Sequence, residues 1–69
     1  MSDKIQSVER AFILLELLGQ SDTGLSISDL ANRSGLPLGT IHRLLSTLIQ
    51  LGYAEQIQET RHYSLGLRL

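Results

Sequence analysis

A chain of 69 residues with a net charge of −1, 42% hydrophobic residues and no cysteine makes one domain with a thin core, since at this size only roughly 60% of the unfolded chain's surface is removed from water. Without cysteine there are neither disulfide staples nor thiolate metal sites, so stability must come from packing of Leu and Ile or from association. So apolar a composition excludes disorder, and the longest apolar run, Ala11 to Leu15, is far short of the roughly 18 residues of a membrane span.

No basic leader precedes that run, so it does not read as a signal peptide, and the expected location is cytoplasmic with no membrane partner. The charges are uneven. Nothing acidic lies between Asp29 and Glu55, whereas Arg33, His42 and Arg43 fall inside that interval. A local basic face is therefore compatible with an acidic total.

The first predicted helix runs from Ser7, a good N-cap, to Gly19, a residue suited to follow a helix end. Val8, Ala11, Phe12, Leu15 and Leu18 follow the rhythm of a buried stripe, and Ile13, Leu14 and Leu17 widen it. A helix apolar over this much of its circumference sits centrally or meets a second copy of the protein. Gln20 to Gly24 has loop chemistry.

Ser26-Ile27-Ser28-Asp29 follows the capping-box pattern with Asp in place of the usual Glu, which predicts a second helix over about Ile27 to Ser34. Its inward residues are Ile27, Leu30 and Ala31. Gly35 suits the left-handed residue that ends it, and Pro37 holds Leu36 extended while suiting the first turn of a third helix. That third helix, about Pro37 to Leu51, turns Ile41, Leu44, Leu45, Leu48 and Leu51 inward and is closed by Gly52. Its outward positions are Gly39, Thr40, His42, Arg43, Ser46, Thr47 and Gln50. Two short helices joined steeply through Gly-Leu-Pro form a helix-turn-helix.

Beyond Gly52 the period changes to about 2. Tyr53 to Ile57 and His62 to Leu65 are predicted strands, and Gln58 to Arg61 is a polar turn without Gly, Asn or Asp. Alternation points Tyr63 and Leu65 to the core. The expected fold is mainly α with a small β-hairpin: a winged helix-turn-helix of three helices and a two-stranded wing, filling residues 1–69.

Enzyme chemistry finds little support. His42 and His62 stand 20 residues apart, the seven acids are scattered, and no metal, cofactor or acid–base constellation emerges. Gly35-x-x-x-Gly39 lacks the Lys and Ser/Thr of a phosphate-cradling loop. Nucleic-acid binding fits the arrangement better, because a helix enters the major groove with its first turns at the base edges and its positive dipole end near phosphate. Leu38, Gly39, Thr40, His42 and Arg43 are placed to do this. Gly39 leaves room for backbone approach, Thr40 can donate to phosphate or touch a thymine methyl, and Arg43 can bind guanine or phosphate. Each has a plainer role as well: Arg43 as a solvated surface cation, Thr40 as a helix-start residue, His42 as a packing residue. Arg61 and His62 lie where a wing tip would approach DNA, or form a solvated turn.

Three stretches, "SVERAFILLELLGQ", "GLSISDLANRSGLPLGTIHRLLSTLIQLGYAEQ" and "RHYSLGLRL", together resemble the N-terminal DNA-binding domain of IclR-type bacterial transcriptional regulators, over about Gln6 to Leu69. The resemblance implies a winged domain that binds double-stranded operator DNA as a homodimer, followed in the whole protein by a linker helix and a C-terminal domain that senses a small-molecule effector. On that reading the chain is an excised DNA-binding domain. The family's recognition-helix contacts would fall on Thr40, His42, Arg43 and Thr47, and a wing contact near Arg61. Ser7 and Arg10 match family positions where phosphate or dimer contacts are both open. At Leu38 and Gly39 the chain departs from the family's usual basic or polar residue followed by Ser; Leu38 would touch a thymine methyl or pack within the domain. The alternative reading is a winged-helix protein-interaction module without DNA binding.

Overall fold

The computed structural model describes residues 4–68; the expected domain bounds of 1–69 reach beyond them at both ends. The chain forms helices α1 (Gln6–Gly19), α2 (Ile27–Ser34) and α3 (Leu38–Leu51), then strands β1 (Ala54–Gln56) and β2 (Tyr63–Leu65). This is the expected mainly α fold with a two-stranded antiparallel wing.

The ends of α1 differ from the expectation. Ile5, extended at φ −92 and ψ 112, holds the N-cap position and makes no side-chain cap bond, so Ser7 lies inside the first turn. The Glu9 amide donates to the Ile5 carbonyl at 3.0 Å, and the Glu9 carboxylate pairs with Lys4 at 3.2 Å, placing a negative charge at the positive end of the helix dipole. At the other end Gly19 stays helical and the cap is Gln20 at φ −85; the chain exits through tightened bonds from Gln20 to Leu17 and Ser21 to Leu18.

Local signals around α2 hold. Ser26 accepts from the Asp29 amide at 3.0 Å while its own amide donates to the Asp29 carboxylate at 3.2 Å, completing the capping box. Gly35 ends the helix at φ 75, where a side chain would be strained. Pro37, at ψ 149, stands at the N-cap of α3 rather than in its first turn, so that helix starts at Leu38. Gly52 closes it at φ 90, with the Tyr53 amide returning to the Leu48 carbonyl at 2.9 Å.

The core joins all three helices: Leu14 and Leu18 of α1, Leu30 of α2, and Ile41 and Leu45 of α3 are fully buried. Leu25, Leu48 and Ala54 complete it, and Ala11, Leu15, Leu17, Tyr63 and Leu65 pack on its rim. The covered face of α1 is thus Ala11, Leu14, Leu15, Leu17 and Leu18. Val8 and Phe12, expected inside, are 50% and 61% exposed, and Leu51 of α3 is 55% exposed. The apolar arc of α1 is wider than α2 and α3 can cover, and the uncovered edge is the one carrying Val8 and Phe12.

The wing strands are shorter than predicted, pairing Ala54 with Leu65, Glu55 with Ser64 and Gln56 with Tyr63. Tyr53 is lost to the α3 cap. Ile57 and His62 sit at the turn, where the Ile57 amide donates to the His62 carbonyl and the Arg61 amide to the Ile57 carbonyl, both at 2.7 Å. In a turn with no glycine, Arg61 takes the left-handed conformation at φ 65, a modest cost for a non-β-branched residue. Leu25 adds an isolated antiparallel bridge to Tyr63. After β2 the chain crosses the end of α3: the Gly66 amide donates to the Tyr53 carbonyl at 2.9 Å and the Arg68 amide to the Gly52 carbonyl at 3.0 Å. A Cβ at Gly66 would collide with the Gly52 carbonyl oxygen.

Candidate nucleic-acid interface

The outward face of α3 follows from helical geometry. With Ile41, Leu45 and Leu48 in the core, the positions opposite are Gly39, Arg43, Ser46 and Gln50, spaced three and four residues apart. All four are exposed. Thr40 and Thr47 lie on the flank beside α1, and His42 lies on the flank beside the wing. Ser46 and Gln50 were not singled out from the sequence as contact residues, although their spacing from Arg43 places them on the same line.

On the α1 flank, a shallow groove of about 270 Å³ is lined by Gln6, Ser7, Arg10, Thr40, Arg43 and Leu44. It brings together four expected contact residues from two helices: Ser7, Arg10, Thr40 and Arg43. Ser7 is free to act there because it does not cap α1. Arg10 and Arg43 pair with no carboxylate among the described residues, so two cations face one groove uncompensated. Thr47 lies one turn beyond, and its hydroxyl donates to the Arg43 carbonyl at 3.2 Å; its oxygen remains an acceptor, but its proton is engaged within the helix.

On the opposite flank, His42 shares a second groove, of about 240 Å³, with Ser46, Gln50 and Tyr63. His42 is exposed, so it is not the partly buried packing residue the leucine pattern left open. The wing separates the two basic residues read together in the sequence. Arg61 is exposed at the turn, where its carbonyl accepts from the Gln56 side chain at 3.1 Å. His62 is half-buried, with Nδ1 enclosed and unpartnered, and packs so near Gly24 that a Cβ there would stand 3.0 Å from the His62 Cβ. Arg61 is the basic residue that the wing presents to solvent at its tip.

The first turn of α3 has donors to spare. Pro37 offers no capping side chain, and the Pro37 carbonyl accepts from Ile41, leaving the amides of Leu38, Gly39 and Thr40 as the helix's unsatisfied group. Leu38 is 54% exposed and Gly39 is open. In α2, by contrast, the Ser26 bonds hold the Asp29 carboxyl below the usual carboxylate value, the backbone amide contributing most. That helix's start is closed by its own acid, while the start of α3 is left to solvent. Among the described residues no group of three or more His, Cys, Asp or Glu side chains could hold a metal ion, and no helix is long and apolar enough to cross a membrane.

Comparison with known proteins agrees with this geometry. The model of the IclR helix-turn-helix domain matches residues 7–58. The chain is 38% identical over 63 residues to the transcriptional repressor IclR of Escherichia coli K12, covering 91% of this chain and 23% of that protein. It is 44% identical over 69 residues to the glycerol operon regulatory protein of Streptomyces coelicolor, covering 100% of this chain and 27% of that one. The crystal structure of Pseudomonas aeruginosa HmgR superposes with a TM-score of 0.84 at 38% identity, over 93% of this chain and 26% of that one. The chain belongs to the IclR helix-turn-helix family and has the winged helix-turn-helix fold. It spans about a quarter of the length of the curated relatives it matches.

Proposed function

We propose that this domain reads double-stranded operator DNA by laying α3 in the major groove with the wing beside it. The observation that carries the reading is the placement of Arg43: a cation with no ion-pair partner among the described residues, on the outward line of α3, across a groove from Arg10, in a stretch without acids. In that pose the first turn of α3 and Arg43 meet base edges, Thr40, Ser7 and Arg10 meet phosphate on the α1 side, and His42 and Thr47 flank the contact. Arg61 reaches the neighbouring backbone from the wing. The domain acts by binding rather than catalysis, and its place of action is the cytoplasm, where bacterial DNA lies.

The uncovered edge of α1 supports a homodimer. Val8, Phe12 and Leu51 are large, apolar and exposed, and Phe12 and Leu51 border an apolar groove of about 370 Å³ between α1 and α3. Two copies joined there would present two reading helices to half-sites about one helical turn, or a multiple of it, apart. Effector sensing belongs to a separate domain of a longer regulator, in line with the small share of each relative that this chain covers.

The test is a titration of the domain with duplex DNA at increasing salt. Phosphate neutralisation makes affinity fall steeply and log-linearly with salt concentration. Absence of any complex with many duplexes at low salt would overturn the reading and favour a protein-docking module that uses the exposed apolar edge.

A further inference from the structure

We propose that Leu38 and Gly39 form a specificity device on α3, in which the Leu38 isobutyl group meets the C5 methyl of a thymine and Gly39 is bare so that the first turn can come close enough to make that contact. The inference rests on the major-groove reading of α3 and deepens it.

Nothing inside the domain accounts for a glycine at position 39. The left-handed glycines are Gly24, Gly35 and Gly52, and Gly39 is not among them. Among the described residues, a Cβ built on Gly39 would meet no atom within 4 Å beyond its chain neighbours and its own helix backbone, so no packed neighbour excludes alanine. Glycine within a helix is less favourable than alanine. The fold thus carries a cost here without a return, and the space kept clear opens outward onto the reading face. Leu38, next to it, is more than half exposed and lies outside the set of side chains packed on the core. An isolated exposed leucine is unremarkable, but this one stands in the first turn of the reading helix beside the bare position. Of the groups that bases display in the major groove, the thymine C5 methyl is the apolar one; the others are hydrogen-bond donors and acceptors. An aliphatic side chain there therefore selects for thymine and against every polar edge.

The experiment begins by selecting bound sequences from random duplex DNA with the 69-residue domain. Each thymine of the selected duplex is then replaced in turn by deoxyuridine, which deletes only the methyl. At one fixed thymine per half-site, the wild-type domain is expected to lose affinity about fourfold, the value of one buried methyl group, and Leu38→Ala to bind the thymine and uridine duplexes equally. Gly39→Ala is expected to leave the melting temperature unchanged or raised while weakening binding to the selected duplex, a combination that a structural role would not produce. The inference is overturned if the wild type binds the selected duplex and no uridine replacement matters, or if Leu38→Ala keeps the full uridine loss. It is also overturned if Leu38→Ala lowers the sedimentation mass, which would make Leu38 a contact between copies. A domain that binds no duplex at any salt defeats the reading of α3 itself, a result distinct from these.

Discussion

Leu25 and Tyr63 exchange both backbone hydrogen bonds, the Leu25 amide donating to the Tyr63 carbonyl at 2.9 Å and the Tyr63 amide to the Leu25 carbonyl at 2.7 Å. The loop between α1 and α2 thereby becomes a third lane beside the hairpin. A two-stranded hairpin alone is marginally stable in water, so the position of the wing relative to α3 depends on this bridge as well as on Ala54 in the core.

Gly24 sets that bridge, with φ at 90 and a hypothetical Cβ 3.0 Å from both the His62 Cβ and the Tyr63 carbonyl oxygen. Gly24→Ala should destabilise the domain by about 1–3 kcal/mol through backbone strain and crowding. Thermal unfolding measures the loss. Amide exchange at Leu25 and Tyr63 should accelerate more than at Leu30, and uniform acceleration would count against a local role for the bridge.

Arg43 offers the most direct test of the reading face. Arg43→Ala should weaken binding to a selected duplex by about 1–3 kcal/mol and relax selection at one base pair if the guanidinium reads a base. If it only meets phosphate, all sequences should weaken alike and the salt slope should fall by about one. Anisotropy titrations at several salt concentrations separate these outcomes, and unchanged affinity would remove Arg43 from the interface.

The exposed edge of α1 predicts a contrast between neighbouring residues. Phe12→Glu should leave the circular dichroism of the domain intact and lower its sedimentation mass, because Phe12 is 61% exposed. Leu14→Ala should cost about 2–5 kcal/mol, enough to unfold much of so small a domain, because Leu14 is fully buried. A monomeric wild type would exclude the α1 contact.

The capping box on α2 gives a pH dependence. Hydrogen bonds from Ser26 lower the Asp29 pKa in the folded state from its ordinary value of 3.8, so the ionised carboxylate favours folding. Its stabilisation is complete well above that value and disappears as the pH falls below it through the folded-state pKa. Asp29→Asn, which removes the titrating carboxylate, should lower stability at neutral pH and flatten the acid limb of the stability curve. An acid limb as steep as that of the wild type would assign the effect to another carboxylate.

What the sequence disclosed, and what it hid, divides by range. The start of α2 was legible because Ser26 and Asp29 are three residues apart and bond reciprocally within one helical turn. Gly35 and Gly52 were legible for the same local reason. The burial of Leu14 in place of Val8 and Phe12 was not, since periodicity offers α1 a broad apolar arc and only the positions of α2 and α3 decide which part is covered. The bridge from Leu25 to Tyr63 spans the whole reading helix in sequence and leaves no local trace. On the reading face, Thr40 and Arg43 were found by spacing and Ser7 and Arg10 by family resemblance, but the groove uniting them exists only once α1 packs across α3. Arg61 was foreseen at the tip, whereas its left-handed backbone was not, because the turn lacks the residues that usually announce one.

The crossing of Gly66 over Gly52 makes one corner serve two ends. The chain leaves the wing where α3 stops, and the Arg68 amide is tied to the Gly52 carbonyl at 3.0 Å. A pull on the backbone at Arg68 is therefore a pull on the last turn of α3, delivered without passing through the leucine core. The corner ties the exit of the wing to the end of α3 that lies opposite its exposed first turn.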